Sequence, residues 1–176
     1  PSHTHWGSFH AKASTGGVTI SINTVYLEQF NDITVHVLSP GRCFGLALRG
    51  PTSSLLVICL HLNPAATTPA KSALLKEIAA LAADVPGRAI LAGDFNFLHS
   101  EECRLHVDDA GVHDTTEQSK LSELFEELLH DWSELHQPLP TRRQVTGQRI
   151  SPHSRLNRIY TNLQPQEVSD RQPYTA

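Results

Sequence analysis

The sequence predicts an α/β (α+β) domain in which helices pack against a β-sheet. Three observations lead to this fold class. Several short segments alternate apolar and polar residues, as half-buried strands do, and one run, SLLVICLHL, is apolar throughout, as in a strand covered on both faces. Two amphipathic segments with helical spacing follow that run. Neighbouring strands first follow one another and then alternate with helices, which favours a layered domain. The sequence shows no internal repeats.

The strands are predicted mainly in the first half of the chain. Residues 1–15 are rich in His, Ser and Thr and predict a loop, and we expect residues 1–13 to be disordered. Apolar residues occupy every second position in GGVTISIN, ITVHVL and FGLALRG, which predicts three strands. The continuous run SLLVICLHL predicts a fourth, and NPAATTP ends it.

The chain after NPAATTP predicts two helices separated by a strand. Thr67 or Thr68 can cap the first helix, Pro69 suits its first turn, and Pro86-Gly87 ends it. The segment RAILAG then predicts a return to the sheet. The remaining predictions are a polar loop at 99–118, a helix at 119–130, a short strand in SRLNRIY and a polar tail at 163–176, all within a single domain of residues 1–176.

Composition limits the possible partners and compartments. The net charge of −4 gives no overall attraction to nucleic acid or anionic membranes, so a polyanion would need a local site. No apolar run reaches the roughly 18 residues needed to cross a bilayer, and nothing indicates an oligomer. Cys43, Cys59 and Cys103 are few and widely spaced, which predicts free thiols in a reducing, intracellular compartment, nuclear or cytoplasmic.

Two predicted strands end in polar residues of the kind found in active sites. One ends at His61, followed by Asn63, and the other ends in the sequence GDFN, which contains Asp94 and Asn96. Two residues apart in an extended segment, Asp94 and Asn96 are expected to face one side while Phe95 packs inward. A carboxylate beside a carboxamide suits a divalent cation and a phosphate oxygen. The alternative is an ordinary turn, since Gly, Asp and Asn are common turn residues.

The ordered set CLHLNP, LAGDFN and SRLNRIY resembles the endonuclease/exonuclease/phosphatase superfamily, which has the pancreatic-deoxyribonuclease-like fold. STGGVTISI resembles a mid-domain strand of that family, and ELHQPLPTRRQ is most similar to endonuclease domains of LINE-type retroelements. The resemblance extends from about Ser14 to Asp170. It implies a four-layer α/β sandwich and cleavage of a phosphate ester that depends on Mg²⁺ or Mn²⁺.

The resemblance also implies roles for individual residues. Asp94 would activate the attacking water or bind the metal, and Asn96 would position the phosphate and the water. His61 would hydrogen-bond the scissile phosphate, and Asp170 would be a second metal-linked carboxylate. Phosphate or nucleic-acid contacts are further predicted for four residues: Asn63, Arg142, Arg155 and Arg171. Arg142 and Arg155 belong to a C-terminal arginine cluster, with Arg143, Arg149 and Arg158, for which a solvated loop is an equal alternative.

Three departures from the family pattern predict weak or absent activity. The chain opens at Pro1 without methionine, and the family's N-terminal strand and metal-binding Glu have no counterpart, so we expect an N-terminally incomplete domain. Asn157 stands where the family has an Asp, and Arg171 stands where it has a catalytic His. Arginine stays protonated and cannot act as a general base.

Three functions therefore follow from the sequence. The first is an Mg²⁺-dependent DNA endonuclease of retroelement type, degenerate or inactive in this chain. The second is a catalytically dead module that binds nucleic acid. The third is a phosphomonoesterase of the same superfamily.

Overall fold

The computed structural model describes residues 2–11, 16–97, 104–105, 115–135, 145–146, 149–150, 153–154 and 156–163. The longer elements are β1 (His3–Phe9), β2 (Gly17–Asn23), α1 (Thr24–Leu27), β3 (Asp32–Ser39), β4 (Cys43–Arg49), β5 (Ser54–His61), α2 (Thr68–Asp84), β6 (Arg88–Asp94), α3 (Thr115–Leu128) and β12 (Asn157–Thr161). Two-residue strands complete the set: β7 (Arg104–Leu105), β8 (Ser133–Glu134), β9 (Val145–Thr146), β10 (Arg149–Ile150) and β11 (His153–Ser154).

A six-stranded sheet with the order β3-β4-β5-β6-β12-β8 forms the centre of the fold. Its neighbouring strands are antiparallel except for β5 and β6, which are parallel and are connected by α2. Parallel neighbours require such a crossover because a tight hairpin can join only antiparallel strands. As a result, β5 and β6 end at the same edge of the sheet, and that edge carries the predicted site.

Each face of the sheet is covered by a different layer. One face packs against α2 and α3 through a core that includes Leu56, Leu91, Ile78 and Phe125. The opposite face packs against the β1–β2 hairpin through Val18 and Ile20 of β2 and apolar residues of β4. The described residues therefore form three layers, with helices, the large sheet and a two-stranded sheet in that order. The predicted α/β class is confirmed.

The predicted loop at the start of the chain is wrong for residues 3–9. These residues form β1, which pairs antiparallel with β2 along its whole length, from His3 opposite Asn23 to Phe9 opposite Gly17. Its sequence, HTHWGSF, lacks regular apolar alternation, so its strand conformation depends on pairing with β2 and on Trp6 packing against the apolar face. The sequence pattern alone therefore could not locate it.

The second long helix begins earlier than predicted. It spans Thr115–Leu128, so the last residues of the predicted loop at 99–118 are helical. Its first residues, TTEQSK, are polar and carry no apolar periodicity, so the pattern located the helix only from Leu121 onward. No helix among the described residues is both long enough and apolar enough to cross a lipid bilayer.

Cys43 and Cys59 are free thiols on opposite faces of the sheet, as predicted, and Cys103 lies outside the described residues. Cys43 is fully buried in the helix-facing core. Burial, together with smaller effects of Cys59 and Glu77, raises the pKa of the Cys43 thiol to about 12. The folded protein therefore retains this proton at alkaline pH values at which an unfolded chain loses it.

We expect Cys43 to make stability fall at alkaline pH. The folded pKa is raised, so the contribution is complete below the ordinary value of 9.0 and is lost as the pH rises toward about 12. The slope of this loss is about 1.4 kcal/mol per pH unit for one group. Urea unfolding of the wild type and of Cys43→Ala at several alkaline pH values measures it. Parallel pH dependence of the two proteins would contradict the expectation.

Candidate active site

The strand register places three of the predicted residues in one row. Asp94 at the end of β6 is the register partner of His61 on β5 and of Asn157 on β12. Neighbouring strands lie about 4.8 Å apart, and directly paired residues project to the same face. His61 and Asp94 are half-buried and Asn157 is exposed. The row lies on the face that carries Val57 and Ile90, which pack toward the β1–β2 side.

Gly93 allows β6 to end close to β5. Its φ is +148°, a conformation that L side chains rarely adopt. An added Cβ would lie 1.8 Å from the carbonyl oxygen of Leu60 on β5. The backbone approach that brings Asp94 beside His61 therefore requires glycine at this position.

Asn96 does not continue the strand, so the expectation of an extended Asp94–Asn96 segment is wrong. Asn96 has a φ of +49°, in the left-handed region, and its backbone N–H donates to Oδ1 of Asp94 at 3.0 Å. Its Nδ2 donates to the carbonyl oxygen of Leu62 at 2.8 Å. The carboxamide thus ties the end of β6 to the segment after β5. One amide N–H and Oδ1 are left for a ligand, since no other bond from this side chain is found among the described residues.

Phe95 packs inward, as predicted, and attaches the site to the helix-facing core. It is fully buried and lies in edge-to-face contact with Phe97, Phe125 and Tyr160, at centroid distances of 6.0, 5.6 and 5.2 Å. Its backbone N–H donates to the carbonyl oxygen of Leu156 at 2.9 Å. These contacts fix the backbone between Asp94 and Asn96 to the helix-facing core.

Arg42 is a site residue that the sequence did not predict. It lies in the turn between β3 and β4, and its Nη1 is 2.9 Å from Nδ1 and 3.4 Å from Nε2 of His61. The carbonyl oxygen of Arg42 accepts the backbone N–H of His61 at 2.7 Å. Nineteen residues separate the two in the chain, and only the β4–β5 pairing brings them together. No sequence motif signals this contact.

Asn63 and Arg158, both predicted to lie near phosphate or nucleic acid, make hydrogen bonds within the protein. Asn63 forms a turn after β5, in which its Oδ1 accepts the N–H of Ala65 at 3.1 Å, so one polar atom already has a structural partner. Arg158, counted in the arginine cluster, is 1% exposed. Its guanidinium donates to the Tyr160 hydroxyl and the Phe97 carbonyl and lies over the rings of Phe95 and Phe97. Arg158 is therefore a core residue that cannot contact nucleic acid.

Four other predicted residues lie outside the described part of the chain: Arg142, Arg155, Asp170 and Arg171.

The donors at this sheet edge fit a hard divalent cation in kind but are few in number. Asp94 offers one carboxylate, and the only partner found for it among the described residues is the Asn96 N–H on Oδ1. No group of three His, Cys, Asp or Glu side chains within the described ranges is arranged to hold a metal ion. Mg²⁺ is commonly bound by one or two carboxylates together with substrate phosphates. Asp94 fits as one such ligand, and Asp170 remains the predicted second.

Comparison with known proteins supports the fold assignment. No family model matches the sequence, and no curated protein matches it. The structure is similar to the endonuclease domain of TRAS1, a telomere-specific non-LTR retrotransposon, with a TM-score of 0.63, 13% identity and coverage of 90% of this chain and 66% of that chain. It is also similar to the AP endonuclease LMAP from Leishmania major, with a TM-score of 0.61, 11% identity and coverage of 90% and 61%. A third similar structure is an endonuclease/exonuclease/phosphatase family protein from Leptotrichia buccalis C-1013-b, with a TM-score of 0.59, 12% identity and coverage of 92% and 61%.

The chain therefore has the fold of the endonuclease/exonuclease/phosphatase proteins, and the resemblance predicted from the sequence is confirmed at the level of fold. A retrotransposon endonuclease domain is among the structures that share this fold. The chain spans less than two thirds of the length of each of these three structures.

Proposed function

We propose that this chain is a phosphodiester-hydrolysing domain that acts on DNA, of the type found in retroelement endonucleases. The observation that carries the proposal is the row of His61, Asp94 and Asn157 on three neighbouring strands. The row lies at one sheet edge, at the end of β6, and combines a carboxylate, an imidazole and a carboxamide. Two of the structures that share the fold are described as endonucleases, which supports the choice of substrate class.

Each residue of the site has a role that its chemistry permits. Asp94 accepts a proton from the attacking water, or holds the cation, through Oδ2, because Oδ1 receives the Asn96 N–H. His61 donates a hydrogen bond to a non-bridging phosphate oxygen, and Asn96 orients the phosphate and the water with its remaining amide groups. A bound Mg²⁺ or Mn²⁺, held by Asp94 and by the predicted ligand Asp170, would supply positive charge to the phosphoryl group.

The rate is expected to be low. Asn157, next to Asp94, is neutral at a position where the resembling family has a carboxylate, and Arg171 cannot accept a proton. Loss of a general base costs about 10²–10⁴-fold in rate. The assay must therefore detect slow nicking, and supercoiled plasmid serves because one cut per molecule changes its mobility.

The deciding experiment is plasmid nicking in Mg²⁺ or Mn²⁺ and in EDTA. We expect slow nicking in the presence of metal. His61→Ala should lower the nicking rate by about 10- to 100-fold, which corresponds to the loss of one hydrogen bond to a charged group. His130→Ala is the matched control because His130 is an exposed histidine beside Asp131 at the end of α3. Nicking that persists in EDTA, or that is equal in the two variants, refutes the proposal.

A second candidate is a catalytically dead domain that binds nucleic acid, and the neutral Asn157 beside Asp94 favours it. This candidate predicts binding to a DNA duplex without turnover, with an affinity that falls as salt rises because phosphate contacts release counterions. An affinity that is independent of salt refutes it. Release of inorganic phosphate from monoesters without plasmid nicking would instead identify a phosphomonoesterase.

A further inference from the structure

Arg42 extends the row of site residues by one strand. Cys43 at the start of β4 is the register partner of Leu60 on β5. One residue outward along both strands, the backbone N–H of His61 donates to the carbonyl oxygen of Arg42 at 2.7 Å. Arg42 therefore lies opposite His61 on one side of β5, and Asp94 lies opposite it on the other. Because directly paired residues project to the same face of a sheet, all three share the face of the candidate site.

The Arg42 guanidinium lies over the face of the His61 ring. Its Nη1 is 2.9 Å from Nδ1 and 3.4 Å from Nε2. An atom in the ring plane that approached one nitrogen so closely would lie much farther from the other. Arginine commonly stacks on aromatic rings, and this contact through Nη1 leaves the N–H groups on Nε and Nη2 available to acceptors. The in-plane positions of the His61 nitrogens are left open as well.

The donors of both side chains lack an acceptor within the part of the chain that the structure describes. There, the side chain of Arg42 has no hydrogen-bond or ionic partner besides the His61 ring, and the ring has none besides Arg42. Arg49, by contrast, donates to Asp32. Arg42 and His61 are half-buried, so they lose hydration without a partner that replaces it. Two such donors side by side indicate an anion-binding position.

The turn that carries Arg42 is held on both sides. The N–H of Arg42 donates to the carbonyl oxygen of Ser39 at 2.9 Å, and the N–H of Gly41 donates to the buried hydroxyl of Ser8 on β1 at 2.9 Å. Gly41 has a φ of +69°, and a Cβ there would lie 2.6 Å from the backbone nitrogen of His10. The guanidinium therefore extends from a fixed backbone, which reduces the entropy lost when it binds a ligand.

We propose that Arg42 is a phosphate-binding residue of the candidate site. Its guanidinium donates to non-bridging oxygens of the phosphate that His61 contacts, on the side of His61 away from Asp94. The planar fork of arginine matches the oxygens of a phosphate group, and the charge of the guanidinium strengthens these hydrogen bonds. The identity of this phosphate as the scissile one rests on the proposed function, whereas the affinity for DNA that Arg42 contributes requires no turnover.

Binding of a short DNA duplex in EDTA, followed by fluorescence anisotropy at several salt concentrations, tests the contact without cleavage. Each phosphate that a cation neutralises contributes about 0.9 to the slope of log affinity against log salt concentration. We expect Arg42→Met to weaken binding at low salt by about 10-fold or more and to lower the slope by about 0.9. Arg42→Lys keeps the charge without the planar fork, so it should keep the slope and lose only part of the affinity.

Arg49→Met is the matched control, because Arg49 lies at the other end of β4 and pairs with Asp32 on the surface. It removes the same charge, and it should change the affinity by less than about 2-fold because salt screens a distant charge. Backbone amide spectra establish that each variant is folded, and Arg42→Gln replaces the methionine variant if that protein does not fold. Equal effects of the Arg42 and Arg49 variants on the slope overturn the proposal, as does a wild type that binds no duplex at low salt.

The nicking assay separates this inference from the proposed function. In an active protein, Arg42→Met should lower the single-turnover nicking rate by about 10- to 100-fold, and Arg42→Lys should restore part of that loss. If the wild type binds DNA but does not nick it, the proposed function fails, while the salt slopes still decide whether Arg42 binds a phosphate. If the wild type nicks DNA and Arg42→Met leaves the slope unchanged, the inference fails and the proposed function stands.

Discussion

Replacement of Asp94 by asparagine is expected to lower the rate of phosphodiester cleavage by about 10²–10⁴-fold, as removal of a general base or a charged ligand does. The carboxylate lies between His61 and Asn157, and it is the only acidic side chain in this row. The amide oxygen of asparagine can still accept the Asn96 N–H that Asp94 receives at 3.0 Å. The substitution therefore removes charge and basicity while it preserves the turn.

Plasmid nicking under single-turnover conditions measures this effect, with the metal ion in excess. Asp84→Asn is the matched control, because Asp84 is an exposed aspartate at the end of α2, in a different part of the fold. It should cleave at the wild-type rate. The role of Asp94 would be refuted if Asp94→Asn retained more than about a tenth of the wild-type rate. Such a variant would have raised the activation barrier by less than about 1.4 kcal/mol.

Replacement of Gly93 by alanine is expected to destabilise the fold by more than about 4 kcal/mol, at the upper end of the range for single substitutions. The added Cβ would lie 1.8 Å from the oxygen, 2.7 Å from the carbonyl carbon and 2.9 Å from the nitrogen of Leu60. All three are backbone atoms of a central strand, so no side-chain movement can relieve the contact. The φ of +148° adds strain for any L side chain.

Urea or thermal unfolding measures this loss, and Gly16→Ala is its control. Gly16 also has a positive φ, of +87°, but an added Cβ there would meet nothing within 4 Å. Its replacement should cost only about 1 kcal/mol, the cost of the backbone conformation alone. Equal losses in the two variants would show that the approach of β6 to β5 is not the reason for glycine at position 93.

Where apolar residues recur with a clear period, the predictions from sequence agree with the structure. The alternating segments form β2, β3 and β4, the continuous apolar run forms β5, and the capped amphipathic segment forms α2. In β2 and α2 the apolar face that the sequence marks is buried. Strand β4 is buried on both faces, and the alternating apolar residues of β3, Ile33, Val35 and Val37, are exposed. Strand β1 and the start of α3 have no such marking, because one depends on pairing with β2 and the other begins with polar residues.

The site likewise has features that the local sequence predicts and features that depend on tertiary contacts. His61, Asp94 and Asn96 were predicted because polar side chains follow buried strands, and a strand end is a local feature. The orientation of Asn96 depends on the hydrogen bond from its Nδ2 to the carbonyl oxygen of Leu62, which follows the neighbouring strand β5. Arg158 was predicted on the surface and is buried, because its environment comes from the rings of Phe95 and Phe97.

The sequence by itself therefore determined the class of fold, the strand ends that carry polar side chains and the chemistry those side chains offer. Only the tertiary structure decided which residues meet: Asp94 between His61 and Asn157, and Arg42 against His61. The reason is physical. Periodicity and turn chemistry act over a few neighbouring residues, whereas strand register and long-range hydrogen bonds are fixed by the packing of the whole sheet.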